Sequence, residues 1–333
     1  SVGAVSLANA APLRMGYSPR GLAFEQVKLH TQLGEMAVSG LAAADSLDLQ
    51  LDLPEMLLQR VLPHLTVGAG AAHVVVVGSA AQPEIAGRAH LNALALDTLT
   101  IGDLRLELAL SDSLQLGVEL EREGHREVEL ALTAPAAALW GESSVGAVHL
   151  RVLLDQLSLQ APLSYALAEP VRGTLALRAD LVLPIDRVDS SFSWGAIEGD
   201  LSLNALVVDA EVDGDSLHIE LEPGAQIRSV GGEVALDSLR VNMSRYDRDA
   251  GFFIPAGALE LAGRLPAEGE VDLRLGLSDV DLIFFGGPDG IADVRAEMSG
   301  TQAHPRLAIL LEVDTDDLGL LQGRVEGGRD GMD

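Results

Sequence analysis

Aliphatic and polar residues alternate here over tens of residues with no helical interruption, and this limits what the chain can fold into more than any other feature. Leu104, Leu106, Leu108 and Leu110 alternate with Arg105, Glu107 and Ala109. Leu114, Leu116, Val118 and Leu120 alternate with Gln115, Gly117 and Glu119, and Val128, Leu130 and Leu132 with Glu129 and Ala131. A period of two places one set on each side of an extended strand. The pattern recurs in LDLQLDL, where Leu47, Leu49 and Leu51 alternate with acids and Gln50, and in VDLRLGL, which supplies Val271, Leu273, Leu275 and Leu277. It also recurs at Gly173–Leu183 and Asp200–Val208. Turn signals at Asp213-Gly214-Asp215, Pro223-Gly224, Gly231-Gly232 and Glu268-Gly269 separate the runs. The chain reads as all-β, with room for roughly 20 to 25 strands of ordinary length.

Each such strand has an aliphatic face that must be covered. Hydrophobic residues make up 48% of the 333 residues but aromatics only 3%, so the apolar surface is Leu, Ala and Val, without the large rings that anchor most cores. Curling an antiparallel sheet puts alternate residues inside with no second layer. The expected architecture is an elongated, curled antiparallel sheet, taco-like or tubular, around an aliphatic groove. The residues expected to line it are Leu47, Leu49, Leu51, Leu104, Leu106, Leu108, Leu110, Leu114, Leu116, Val118, Leu120, Val128, Leu130, Leu132, Val271, Leu273, Leu275 and Leu277. Such a lining suits acyl chains and repels polar ligands, since each methylene leaving water gains about 0.8 kcal/mol. The alternative is a filled barrel or sandwich whose leucines pack on one another. An outer-membrane barrel is set aside, because 2 Trp, 3 Tyr and 6 Phe cannot build aromatic girdles.

Charge and motifs narrow the function classes. Lys plus Arg number 22 against 50 Asp plus Glu, a net charge of −28 that leaves no basic footprint for nucleic acid or anionic lipid headgroups. There is no cysteine, so disulfides and thiolate metal sites are excluded. The eight histidines are scattered without metal-ligand spacing, and no cofactor fingerprint is found. DTDDLG at Asp314–Gly319 starts like a calcium loop but has Leu318 and Val325 where ligands are needed. SSFSWGAIEG at Ser190–Gly199 lacks the Gly-x-Ser-x-Gly elbow. No constellation points to an enzyme. No run approaches the length of apolar residues that a membrane-spanning helix needs.

One segment departs from the alternation. Pro54–Pro63, PEMLLQRVLP, is bounded by prolines and has Leu57, Leu58, Val61 and Leu62 at helical spacing, which predicts one short amphipathic helix. The chain also repeats itself. Gly40 precedes LDLQLDL as Gly263 precedes VDLRLGL, and Gly78-Ser79…Pro83 matches Gly300-Thr301…Pro305. The Gly-to-Gly steps are nearly equal, 38 residues (78 − 40) and 37 (300 − 263). Between the landmarks the first copy holds the expected helix and the second DLIFFGGPDG, an apolar plug and loop. Residues 1–333 are expected to form a single elongated repeat domain, with one copy at 34–138 and a partial second at 257–333, cut from a longer chain.

These marks carry a family resemblance. PEMLLQRVLPHL, the Gly-rich turn GAGAA, VVVVGSAAQPEIAGRAHLNALAL and the alternating tail LTIGDLRLELAL, all within Gly34–Ala138, resemble the AsmA-like/TamB family, as do the two Gly-[Ser/Thr]-x-x-x-Pro elements. The resemblance implies a non-enzymatic periplasmic protein, anchored in the inner membrane and reaching toward the outer one. Its long β-groove would conduct phospholipids by their acyl chains. The family's N-terminal membrane anchor has no counterpart in these residues. An alternative role in the same family is an assembly scaffold that binds a TamA-type outer-membrane insertase.

Overall fold

In the computed structural model, the structure describes residues 8–9, 12, 14–19, 21–43, 45–57, 65–66, 68–96, 99–139, 146–160, 171–185, 197–212, 215–247, 250–266, 269–282, 289–301, 304–315 and 319–328. Contacts divide the chain into two units, residues 1–152 with 184–188 and residues 153–183 with 189–333. Both are built from antiparallel strands, as the alternation requires, and neither sheet closes into a barrel.

In the first unit, β1 (Ala8–Asn9) and β2 (Met15–Ser18) share one edge of β3 (Gly21–Thr31). The sheet then proceeds through β4 (Gly34–Ala42) and β5 (Leu47–Leu53). The two-residue β6 (Leu65–Thr66) pairs outside this sequence, and β5 is joined by β7 (Ala69–Gly78), then β8 (Pro83–Leu96). β9 (Leu99–Leu110), β10 (Ser113–Arg122) and β11 (His125–Pro135) follow as successive neighbours. A single helical turn, α1 (Ala136–Leu139), and β12 (Gly146–Ser158) come next in the chain.

The second unit has β13 (Val171–Ile185) beside β14 (Glu198–Val212). The short strands β15 (Asp215–Leu221) and β16 (Ala225–Val230) lie end to end between β14 and β17 (Glu233–Asp247). β18 (Phe252–Leu265), β19 (Asp272–Asp281), β20 (Gly290–Gly300), β21 (Pro305–Thr315) and β22 (Gly319–Gly328) then pair in order.

The helix expected from Pro54 does not start there. Pro54–Leu57 is irregular, and the backbone N–H groups of Met56 and Leu57 donate to Gly70 O (2.7 Å) and Leu33 O (2.6 Å). Residues 58–64 lie outside the described residues, as do 283–288 of the DLIFFGGPDG plug and 190–196 of the serine-rich segment.

The repeat landmarks share backbone geometry. Gly40 pairs with Leu49 and Gly263 with Leu273, and each sits where the preceding strand bulges: Phe24 to Val27 in β3, Leu236 to Leu239 in β17. Both have positive φ, +121° and +136°. A Cβ on either would lie 1.9 Å from a carbonyl oxygen, of Asp48 or of Asp272. Gly78 pairs with Pro83 and Gly300 with Pro305, closing two hairpins with φ of +91° and +88° at the glycine. In each case proline begins its strand, where its missing N–H costs least.

Candidate functional site

Register decides which side chains share a face. In the first unit, direct cross-strand partners give the row Leu51–Val74–Gly87–Leu108–Leu116–Leu132, continued through Val38 and Val27 at the other end. It crosses eight strands, about 34 Å at the usual interstrand spacing. One flanking row is Leu53–Ala72–Ala89–Leu106–Val118–Leu130, and the other is Leu49–Val76–Ile85–Leu110–Leu114–Ala134. Leu104, Leu120 and Val128 also align across β9, β10 and β11, and Leu47 lies on β5 at the parity of Leu49. The fourteen groove candidates from this part of the chain therefore share one face. In the second unit, Leu275 falls in the row Leu239–Leu261–Leu275–Ala296–Ile309–Val325 and Leu277 in Val241–Leu259–Leu277–Val294–Leu311–Gly323. Leu273 lies between Gly263 and Met298, and the Val271 N–H donates to Gly300 O at 2.6 Å.

Among the described residues, no second layer seals this aliphatic face. Most of the groove candidates are half-buried, and Leu108 and Leu275 are each 36% exposed. Burial to 9% exposure or less is reached toward the ends of strands, at Leu91, Leu94, Leu110, Leu120 and Ala134 in the first unit and at Leu221, Ala225, Ala256 and the groove candidate Val271 in the second. A filled core would drive mid-row leucines to the same level. These residues form a shared aliphatic surface in contact with solvent.

The opposite face carries the charges. Asp52, His73, Arg88 and Glu107 form one row, and His90, Arg105, Glu119 and Glu129 the next. His73 Nδ1 lies 2.6 Å from Asp52 Oδ1, and Arg105 reaches Glu121 at 3.2 Å. Arg126 bridges Glu119 at 3.1 Å and Glu129 at 3.0 Å. The second unit repeats the His–Asp arrangement, with His218 Nδ1 2.7 Å from Asp209 Oδ1 on the facing strand. The Lys28 ammonium, 2.9 Å from Glu35, holds that carboxyl below its usual range through a hydrogen bond and its charge. Two troughs of the first unit lie on this charged side. Residues 86, 109 and 131 are alanines there and 117 is glycine, so the surface dips between the bulkier Gln115, Arg88 and Glu107. Among the described residues no group of His, Asp and Glu is arranged to hold a metal, and no helix is long and apolar enough to cross a membrane.

The alternation rule missed part of the aliphatic face. Val74 and Val76 lie in it, but the run Val74–Val77 has no parity to read. Ile85 and Ala89 belong to it as well, hidden among alanines and glycines. Sequence reasoning also missed a bulge used twice. Ala93 and Asp279 have φ of 51° and 54°. Each sits in a two-against-one bulge, and its N–H donates to an aspartate on the next strand, Asp103 (2.8 Å) or Asp293 (2.9 Å). No signal in the sequence separates these aspartates from the acids of the wet face. In comparisons with known proteins, no family model, no curated protein and no solved structure matches this chain.

Proposed function

We propose that the aliphatic face is a track for phospholipid acyl chains and that the protein is a non-enzymatic lipid conduit of the periplasm, bridging toward the outer membrane as the resemblance to the AsmA-like/TamB family implies. The observation that carries this reading is the continuity of half-exposed leucine and valine rows across eight strands of the first unit. Covering the remaining third of a leucine gains roughly 0.5–1 kcal/mol, so many of them together favour an apolar occupant. Leu, Val and Ala bear no side-chain polar atom to fix a chain at one position, and that smoothness suits sliding. The opposite, charged face keeps the protein in solution.

The test pairs lipid content with stability. Wild-type protein is purified from bacterial membranes and its bound phospholipid quantified, alongside Leu108→Asp and Leu116→Arg. The expected result is phospholipid on the wild type, little on either variant, and unfolding midpoints close to wild type, because a half-exposed site lets the new charge reach water. A charge set against an acyl chain loses solvation without a partner. Wild type without phospholipid, or variants that unfold, would return the face to a purely structural role.

A further inference from the structure

In the second unit, aromatic side chains collect on one hairpin. Three of the five aromatics among the described residues stand on β17 and β18. None is buried: Tyr246 is 38% exposed, Phe252 58% and Phe253 46%. Tyr246 and Phe253 oppose each other across the hairpin, edge to face, with ring centroids 5.4 Å apart. Tyr246 keeps the parity of Asn242 and Ser244, opposite to that of Val241 and Met243. The pair therefore stands on the polar side, where curling toward the aliphatic face cannot cover it. Exposed rings in contact mark a surface that meets something else.

The surrounding charge selects the occupant. His218 lies 5.6 Å from the Phe253 ring, with Asp209 2.7 Å and Glu220 3.7 Å from its two nitrogens. Pro255, two residues on from Phe253 and on the same face, borders a cavity lined by six acids between Asp279 and Asp314, with Arg245 its one cation among the described residues. The ring pair thus has carboxylates on both flanks, which repel an anion and attract a cation. From Asp209 to Asp314 the strip crosses β14, β15, β17, β18, β19, β20 and β21. That is about 29 Å at the usual interstrand spacing, the length of about nine extended residues.

We propose that this strip docks a basic polypeptide segment, one arginine of which stacks on the Phe253–Tyr246 pair while neighbouring cations meet Asp209 and Glu220 on one flank and the acid-lined cavity on the other. Arginine fits better than lysine, because a planar guanidinium both stacks on a ring and forks onto a carboxylate. The strip lies on the face opposite the leucine rows, so docking is independent of whether those rows carry lipid.

The test uses fluorescence anisotropy at about 0.15 M salt with labelled peptides of about ten residues, one alternating Arg-Ser and one Lys-Ser. The Arg-Ser peptide should bind the wild type about fivefold more tightly than the Lys-Ser peptide. The double variant Tyr246→Ser/Phe253→Ser should lose that preference. Asp289→Asn with Glu312→Gln should weaken both peptides about tenfold, and Glu107→Gln on the charged face of the first unit should change neither. Circular dichroism of each variant keeps lost docking distinct from lost fold. Absence of binding, equal affinity for the two peptides, a preference that survives in the double aromatic variant, or an equal loss in Glu107→Gln overturns the proposal. So does sedimentation of the wild type, but not of the aromatic variant, with phosphatidylcholine vesicles or as a concentration-dependent dimer, which would assign the rings to a bilayer or to a second copy.

Discussion

At the scale of single residues, backbone conformation rather than side-chain chemistry ties the two repeat landmarks together. Gly40 and Gly263 lie at φ values closed to L side chains, with a carbonyl oxygen where a Cβ would go. Gly40→Ala and Gly263→Ala should each destabilise the protein by about 1–3 kcal/mol in urea unfolding. Gly117→Ala is the control. Its φ is unexceptional and its new methyl would meet only Glu107 Cβ at 3.8 Å, so the change should be neutral or stabilise by up to about 0.5–1 kcal/mol. Asp103 has a local task of the same kind. Its carboxylate accepts the N–H of Ala93, a residue held in the left-handed region. Asp103→Ala should cost about 1 kcal/mol and raise amide exchange at Ala93, whereas Asp103→Asn, which keeps an acceptor, should recover most of both. Neither effect is legible from composition: glycine is frequent throughout, and an aspartate inside a strand looks like any other wet-face acid.

At the scale of the strand, parity was the legible quantity. Leu104 to Leu110 and Leu114 to Leu120 alternate with residues of a different kind, so their faces follow from covalent geometry alone. Where neighbours are alike, as in Val74–Val77, only the ladder with β5 and β8 decides. The start of the helix expected over Pro54–Pro63 was not legible for a related reason: 54–57 are irregular, and 58–63 lie outside the described residues. Its apolar spacing suits a helix, but spacing cannot report that the Met56 and Leu57 donors meet carbonyls of other segments. Solvent access to the aliphatic face was also not legible, because alternation gives the same pattern for a packed core and an open groove. Adjacent positions offer a direct check on parity. Ala109 is exposed on the charged face beside Gln115, while Leu110 is 8% exposed on the other. Ala109→Lys should move the unfolding free energy by no more than about 0.5 kcal/mol, and Leu110→Lys should cost about 2–5 kcal/mol. Equal effects would mean that the two faces are not distinct.

At the scale of the whole molecule, charge is the dominant long-range quantity. Fifty acidic residues face 22 basic ones, and exposed ion pairs such as Arg105–Glu121 return only about 0–1 kcal/mol each. In the second unit, Asp279, Asp281, Asp289, Asp293, Glu312 and Asp314 surround a cavity whose one cationic lining residue among the described residues is Arg245. Arg245 Nε lies 2.9 Å from Asp281 Oδ2, and both side chains are largely shielded from water. Removing this cation leaves the acids to face one another. Arg245→Gln should therefore destabilise the protein by about 1–3 kcal/mol at low ionic strength. At about 0.1 M salt, charges more than about 10 Å apart are screened from one another. Added sodium chloride should raise the wild-type unfolding midpoint, because self-repulsion outweighs the exposed pairs. It should raise that of Arg245→Gln more, narrowing the gap between them. Chemical unfolding at two salt concentrations measures both. A gap unchanged by salt would show that Arg245 acts through its contact with Asp281 alone and not through the field of the six acids around it.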